Sequence, residues 1–138
     1  MATTPITRAT PKRGAELISH VVLPVEGGSE ELVVQQWAVE MAAALGVPLR
    51  AVHVNTDGED PPPDVFTFLS EMASERKVEL ETHIIHGRHV ADELADELAP
   101  TDLVVIGTRL LGTGDSWSST TEGLIRRAPC PVQVLRMA

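Results

Sequence analysis

Short apolar segments alternate with amphipathic ones along this chain, and that alternation constrains its fold more than any other feature. Residues 21–25 and 103–106 are apolar throughout and too short for helices, which predicts strands buried on both faces. Residues 78–84 and 132–135 alternate apolar with polar side chains, which is typical of strands at a sheet edge. Residues 51–54 form a further predicted strand, so the chain contains five strand segments.

Segments with helical periodicity separate these strands. The first follows Ser29, which can cap a helix, and ends at Gly46. The last begins with Ser119-Thr120-Thr121-Glu122, which has the form of a capping box. The side chains predicted to face the core are Val34, Trp37, Ala38, Met41, Ala44 and Leu45 in the first helix, Phe66, Leu69 and Met72 in the second, Val90, Leu94 and Leu98 in the third, and Leu124 and Ile125 in the fourth.

The order of these segments predicts a parallel sheet. Strands that alternate with helices form β-α-β units with right-handed crossovers. Placing the two continuous apolar strands at the centre gives the order 3-2-1-4-5, in a single-domain, three-layer α/β/α fold with a doubly wound, Rossmann-like sheet. Ligands of such sheets bind at the carboxyl ends of the strands where the order reverses, here between strands one and four. Those ends are residues 24–27 and 106–107.

A segment with the composition of a phosphate-binding loop follows the fourth strand. Residues 107–120, GTRLLGTGDSWSST, hold three glycines and several hydroxyl side chains ahead of the last helix. They match neither the P-loop pattern nor the dinucleotide fingerprint. A glycine-rich loop at a helix N-terminus attracts phosphate, but a loop whose serines only cap the helix explains Ser119 and Glu122 equally well. Trp117 suits stacking on a base, a subunit contact or packing over the helix start.

Composition and charge narrow the classes of function. The chain has 138 residues, of which 43% are hydrophobic, enough for one domain with its own core. Three of its 11 basic residues lie in the first 13 positions, so 8 basic side chains face 20 acidic ones in the rest. We therefore expect no binding to nucleic acid. Residues 1–17, rich in Thr and Pro, are expected to form a disordered tail ahead of a domain at residues 18–138.

Cysteine content and hydropathy indicate the compartment. Cys130 is the only cysteine, so an internal disulfide is impossible and a reducing, cytoplasmic setting is expected. No apolar run approaches the ~18 residues that a membrane span requires. The basic N-terminus has no apolar stretch behind it, so we expect no secretory signal.

Four stretches of the sequence are similar to the universal stress protein family. They are VVLPVEGGSEE in the first strand and turn, GVPLRAVHV in the second strand, DLVVIGTR in the fourth, and EGLIRRAPCPVQVL in the last helix and strand. The resemblance extends from His20 to Arg136, and its most specific part is Ala-Pro-Cys-Pro-Val after two basic residues. It implies a stress-response protein with this fold, and many members of the family bind ATP.

The family's ATP-binding glycine motif is present here in a variant form. The motif has Gly, two residues, Gly, nine residues, and then Gly-Ser or Gly-Thr. Gly107 matches its first glycine, but Leu110 stands at the second, and Ser118-Ser119 stands at the final pair. The spacing from Gly107 to Ser118 is also two residues shorter than in the family, and Glu26 stands where the family has an Asp at the ribose.

Carried over residue by residue, the resemblance implies a nucleotide site and two alternative functions. The family match supplies Pro24, Val25, Glu26, Val54, Gly107, Ser118 and Ser119, and the chemistry of the loop adds the flexible Gly112 and Gly114, the charged Arg109 and the hydroxyl of Thr120. An adenine nucleotide, ATP, is expected there, with Mg²⁺ arriving on its phosphates because the sequence shows no dedicated carboxylate cage. The alternative is a nucleotide-free module of the same fold that acts through protein contacts. The features that distinguish the two functions are Leu110 and the shortened loop, which depart from the ATP-binding motif.

Other side chains with chemical potential have ordinary structural explanations. His83, His86 and His89 recur every third residue, but residues three apart on a strand face opposite sides, so no metal site is expected. Cys130 fits a small buried side chain better than a reactive thiolate. No nucleophile, base and oxyanion site come together in the sequence. We expect no enzyme beyond slow ATP hydrolysis.

The last strand is predicted to join two copies of the chain. As an edge strand, residues 132–135 present open N–H and C=O groups that proteins normally protect. A two-fold axis across the strand would pair it with its own copy. The predicted homodimer interface consists of Val132, Val134 and Leu135. The family resemblance also implies a dimer through the last strand. The sequence does not identify any further protein partner.

Overall fold

Five parallel strands form one sheet in the order β3-β2-β1-β4-β5. The computed structural model describes residues 17–26, 31–58, 60–109 and 119–137, so the predicted tail before Leu17 lies outside the described residues. The elements are β1 (His20–Pro24), α1 (Leu32–Leu45), β2 (Leu49–Asn55), α2 (Thr67–Glu75), β3 (Leu80–His86), α3 (Val90–Asp96), β4 (Asp102–Arg109), α4 (Ser119–Arg127) and β5 (Val132–Met137). The predicted strand order and fold class are confirmed.

The two central strands are buried on both faces, as their continuous apolar sequence predicts. Val21 and Leu23 of β1 and Val105 of β4 are at most 1% exposed and pack in one core cluster with α1 and α2. Val22 and Val104 face the other way, into a second cluster with Leu94 of α3 and Leu124 of α4. Successive residues of a strand point to opposite faces, so the sheet needs a helical layer on each side. This is the predicted three-layer arrangement.

The buried face of α1 differs from the predicted one. Val34 and Ala38 are buried as expected, and Val39 and Ala42 complete the face. Trp37, predicted to face the core, is 43% exposed, and Ala44 is exposed as well. The indole Nε1–H of Trp37 donates a hydrogen bond to Gln133 Oε1 of β5 at 3.0 Å, because this side of α1 lies over the last strand and not over β1. The prediction for Trp37 and Ala44 was therefore wrong.

The edge strand β3 and the helix α4 show further differences of the same kind. β3 begins at Leu80 and not at Val78, and Ile84 on its α1 side is 44% exposed while Ile85 packs in the second cluster. In α4, Leu124 is fully buried but Ile125 is 42% exposed, contrary to the prediction for Ile125. The exposure of Ile84 and Ile125 cannot be predicted from periodicity alone, because it depends on how far the neighbouring helix or strand extends over each side chain.

Strand β4 is longer than its apolar sequence predicts. It continues through Gly107 to Arg109, and these last three residues pair with Leu135, Arg136 and Met137 of β5. The first three residues of the predicted phosphate loop therefore belong to the sheet. The sequence of residues 107–109 lacks the apolar pattern of a buried strand, because hydrogen bonds to β5 and not burial of apolar side chains stabilise this part of β4.

Helices α3 and α4 approach each other closely at Gly123. A methyl group on Gly123 would lie 2.5 Å from the Cβ of Ala91. In an open helix, Gly→Ala stabilises by about 1 kcal/mol. Here we expect Gly123→Ala to lower the free energy of unfolding by about 1–3 kcal/mol through overpacking, measured by urea denaturation.

Ala91→Gly supplies the matched control for that substitution. In the double variant the opposing methyl is gone, so most of the loss caused by Gly123→Ala should disappear. A Gly123→Ala variant more stable than the parent chain would contradict the packing of the two helices.

Candidate functional site

The carboxyl edge of β1 and β2 brings several of the predicted site residues together. Pro24 ends β1, and the N–H of Val25 continues the pairing by donating to the carbonyl of Val52 at 2.8 Å. Glu26 is exposed, and its backbone N–H donates to Glu31 Oε1 at 2.7 Å, just before α1 begins. Val54 lies near the end of the neighbouring strand β2. These four residues lie at one edge of the sheet, as predicted.

The predicted phosphate-binding residues are only partly described. Gly107 and Arg109 lie in the last part of β4, and Ser119 and Thr120 are the first two residues of α4. The carboxyl end of β4, next to β1 in the sheet, therefore leads to the N-terminus of α4. Gly112, Gly114, Ser118 and Trp117 lie outside the described residues.

A pocket of about 250 Å³ opens beside the end of β1, under the segment that follows β2. It is smaller than the roughly 300–1,000 Å³ of a typical pocket for a whole small molecule, so it can enclose only part of such a ligand. Its walls are formed by Glu26, His53, Val54, Asn55, Thr56, Asp57, Asp60, Pro61 and Pro62. Sequence reasoning named only Glu26 and Val54 among these. The signal that it missed is a polar Asn directly after the predicted strand at residues 51–54, next to the switch point.

His53 holds the two strand ends together. Its Nδ1 lies 2.7 Å from the carbonyl oxygen of Val25. A carbonyl oxygen only accepts hydrogen bonds, so Nδ1 carries the proton and donates it. The contact fixes the ring against the backbone of the β1 turn, and it leaves Nε2 as the other hydrogen-bonding atom of the ring.

Asn55 is a buried polar residue in the wall of this pocket. Its side chain is 4% exposed, and its Oδ1 accepts a hydrogen bond from the N–H of Asp57 at 3.2 Å. Its Nδ2 has no hydrogen-bond partner in the part of the chain that the structure describes. A buried donor without a partner is unfavourable by about 1–3 kcal/mol, so the site fits a ligand that brings a hydrogen-bond acceptor.

The charge of the pocket selects which part of a ligand it can hold. Glu26, Asp57 and Asp60 line it, and none of the described residues of its wall is Lys or Arg. A phosphate placed there would meet like charges at short range. The pocket therefore suits an uncharged group of a ligand, with any anionic group directed away from it.

At the opposite, amino-terminal edge of the sheet, charged side chains pair with one another. His20 Nε2 lies 3.1 Å from Glu81 Oε2, and Arg50 Nη1 lies 3.9 Å from Asp102 Oδ2. Asp102 is 2% exposed and accepts the N–H of Ala99 at 2.7 Å. This cluster joins the starts of the four strands β1 to β4 and acts as a structural contact.

The predicted histidine series shows no shared geometry. His83 Nδ1 lies 3.6 Å from Glu97 Oε1, on the α3 side of β3, while His86 occupies the alternate face at the end of the strand. Among residues 17–26, 31–58, 60–109 and 119–137, no group of three His, Cys, Asp or Glu side chains could hold a metal ion. In the same residues, no helix is long and apolar enough to cross a membrane.

Comparison with known proteins identifies relatives of this fold. The model of the universal stress protein family matches residues 18–136. A universal stress protein in complex with cAMP is similar with a TM-score of 0.71 and 22% identity, over 88% of this chain and 99% of that one. A universal stress protein from Archaeoglobus fulgidus gives a TM-score of 0.69 and 21% identity, over 86% and 93% of the two chains.

A further structure, the Archaeoglobus fulgidus universal stress protein in complex with dAMP, gives a TM-score of 0.63. Its identity to this chain is 22%, over 86% of this chain and 98% of that one. No curated protein sequence is significantly similar to this chain. At these identities the structural likeness establishes the fold.

Cys130 is half-buried and packs against the second core cluster, as the sequence predicts for a small apolar side chain. Burial raises the pKa of its thiol, and the nearby carboxylate of Asp102 raises it further. A higher pKa leaves less thiolate at neutral pH, and the thiolate is the nucleophile. The geometry gives Cys130 a packing role.

We expect Cys130 to react slowly in the folded protein for this reason. Alkylation by iodoacetamide at pH 8 should be several-fold slower in buffer than in concentrated urea, where the thiol regains its ordinary pKa. Mass spectrometry of the labelled chain over time measures both rates, and a Cys130→Ser variant gives the background. Equal rates in the two solvents would contradict the buried placement of the thiol.

Proposed function

Because the chain belongs to the universal stress protein family, we propose that it is a stress-response regulatory protein that binds an adenine nucleotide at the carboxyl edge of β1, β2 and β4. The observation that carries this proposal is the pocket at the carboxyl ends of β1 and β2, next to the switch point, with Asn55 in its wall; Nδ2 of Asn55 has no hydrogen-bond partner among the described residues. Doubly wound sheets bind their ligands at that point. Two structurally similar members of the family are complexes with cAMP and with dAMP.

The proposed pose follows the charges of the site. The base and ribose occupy the pocket, with the backbone of Val54 at the adenine and Glu26 near the ribose. The phosphates extend toward the end of β4 and the first turn of α4, where Ser119 and Thr120 begin the helix. Free N–H groups at a helix N-terminus favour an anion. ATP is the nucleotide that the family resemblance favours, and any Mg²⁺ accompanies its phosphates.

We propose binding without efficient catalysis. In the described part of the chain, His20 and His83 lie beside carboxylates and His53 bonds to a backbone carbonyl. These contacts do not pair an imidazole with a hydroxyl or thiol that it could activate. Nucleotide occupancy would then act by changing the surface that partners meet, with hydrolysis slow at most.

Nucleotide binding is testable by ligand-dependent stability. At one hundred times its dissociation constant, a bound nucleotide should raise the free energy of unfolding by about 2.7 kcal/mol. We expect this shift with ATP, AMP or cAMP and not with inorganic phosphate, in urea melts with each ligand. Mass spectrometry of the purified protein identifies any nucleotide that it carries. No shift at millimolar concentration of any adenine nucleotide would leave the nucleotide-free interaction module as the function.

Gly107→Val tests whether the end of β4 borders the ligand. Gly107 shares the sheet face of Val105, so valine would add two methyl groups at the carboxyl edge, next to the end of β1. We expect the ligand-dependent shift to disappear. Valine is favourable in strands, so the ligand-free melt serves as the control and should not fall. Unchanged nucleotide affinity would show that the phosphates lie elsewhere.

A second function, protein contact through β5, is favoured by the geometry of that strand. β5 ends the sheet, and the N–H of Val104 donates to the carbonyl oxygen of Pro131 at 3.1 Å. Since alternate residues direct their peptide groups to opposite sides, the peptide groups of Val132 and Val134 face away from β4. Beside this edge lies exposed apolar surface on α1, at Trp37 and, one turn earlier, at Val33. We propose that two copies pair there.

Proline substitutions distinguish the open side of β5 from its paired side. Val134→Pro removes an outward N–H and should convert a dimer of twice 14.9 kDa into a 14.9 kDa monomer with the sheet intact. Leu135→Pro, the matched control, removes an N–H directed toward β4 and should lower the free energy of unfolding instead. Light scattering after size exclusion at tens of micromolar measures the mass. A parent chain that elutes at the monomer mass would contradict the predicted dimer.

A further inference from the structure

The side chain of Asn55 is buried where the fold itself has no use for an amide. It shares the face of β2 that carries Leu49 and Ala51, both fully buried in the first core cluster. Its own exposure is 4%, so it has lost its contact with water as they have. An apolar residue at this point would extend the core, whereas burying an amide is unfavourable unless all of its hydrogen bonds are made.

The hydrogen bond from Asp57 fixes which way this amide points. Oxygen and nitrogen of an Asn side chain are told apart by their partners. Only the oxygen can accept the N–H of Asp57, which it does at 3.2 Å. The nitrogen therefore occupies the other branch, where it exposes less than 1 Å² and has no partner among the described residues.

Two other side-chain atoms in the described part of the chain share that condition, Gln35 Oε1 and Arg50 Nε. Neither residue lines the pocket, and Arg50 Nε lies 3.6 Å from a carboxylate oxygen of Glu81. Asn55 alone of the three stands in the pocket wall, next to His53. Because Asn55 lies in the pocket wall, a bound ligand could supply the acceptor that Nδ2 lacks among the described residues.

We propose that Asn55 is a specificity-determining residue of the nucleotide site, whose Nδ2 donates a hydrogen bond to an acceptor atom on the base or ribose. This inference rests on the function proposed above. The acceptor is uncharged, because Glu26, Asp57 and Asp60 keep phosphates out of this pocket. Nδ2 exposes less than 1 Å² in the ligand-free protein, so the proposed contact requires the Asn55 side chain or its neighbours in the wall to shift when the ligand binds.

The test compares nucleotides that lack single acceptor atoms, by isothermal titration of the parent chain and of Asn55→Ala. The probes are AMP, its 1-deaza, 3-deaza and 7-deaza analogues, and 2′-deoxy-AMP. We expect one analogue to bind the parent chain up to about tenfold more weakly than AMP, the loss of one hydrogen bond. The Asn55→Ala variant should bind AMP more weakly than the parent chain by a similar factor. It should bind that one analogue and AMP equally well, so the loss from the substitution and the loss from the missing acceptor are not additive.

Two further variants serve as controls for the role of Asn55. Asn55→Asp keeps an oxygen that can accept the N–H of Asp57 and replaces the Nδ2 donor by a second carboxylate oxygen, so it should lose the same discrimination; its buried charge should lower the free energy of unfolding, which the ligand-free melt measures. Gln36→Ala, an amide removed from the exposed side of α1, should leave every affinity unchanged. Ligand-free melts establish that each variant is folded.

The outcomes separate this inference from the proposed function. If the parent chain binds AMP and both Asn55 variants keep its affinity and its ranking of the analogues, the role of Asn55 is wrong while nucleotide binding stands. If the parent chain binds none of the adenine nucleotides, the proposed function fails and the role of Asn55 fails with it.

Discussion

Both faces of the central strand β1 lie in the core, and the remainder of the structure depends on that burial. Val21 and Leu23 contact one helical layer while Val22 contacts the other. A strand without a wet face cannot be satisfied by one layer of helices, so the chain must cross to both sides of the sheet. Crossing in both directions from β1 places β2 on one side of it and β4 on the other. The switch point is a consequence of this burial.

The two edges of the sheet use polar groups in opposite ways. At the amino ends of the strands, His20, Arg50, Glu81 and the buried Asp102 pair with one another and connect neighbouring strands. At the carboxyl ends, Glu26, Asp57 and Asp60 line the pocket, and Nδ2 of Asn55 has no hydrogen-bond partner among the described residues. A buried donor without a partner is unfavourable in the ligand-free protein, so the carboxyl edge is the one that gains from a ligand with a hydrogen-bond acceptor.

The two proposed functions occupy separate parts of the same sheet. The nucleotide pocket lies at the ends of β1 and β2, whereas the open peptide groups of β5 lie along its side. Trp37 connects the second surface to α1 by its hydrogen bond to Gln133. The two regions meet at the end of β4, where Gly107 of the variant glycine motif pairs with Leu135 of β5.

The sequence by itself determined the elements and their order, because continuous apolar strands must be central and alternating ones must be at the edge. It could not determine features that depend on a distant partner. Gly107–Arg109 extend β4 because Leu135–Met137 lie beside them, and no local pattern marks that ladder. Trp37 is exposed because α1 overhangs the last strand. Asn55 could be recognised as a candidate site residue only in the folded chain, since its burial and the missing partner of Nδ2 among the described residues exist only in three dimensions.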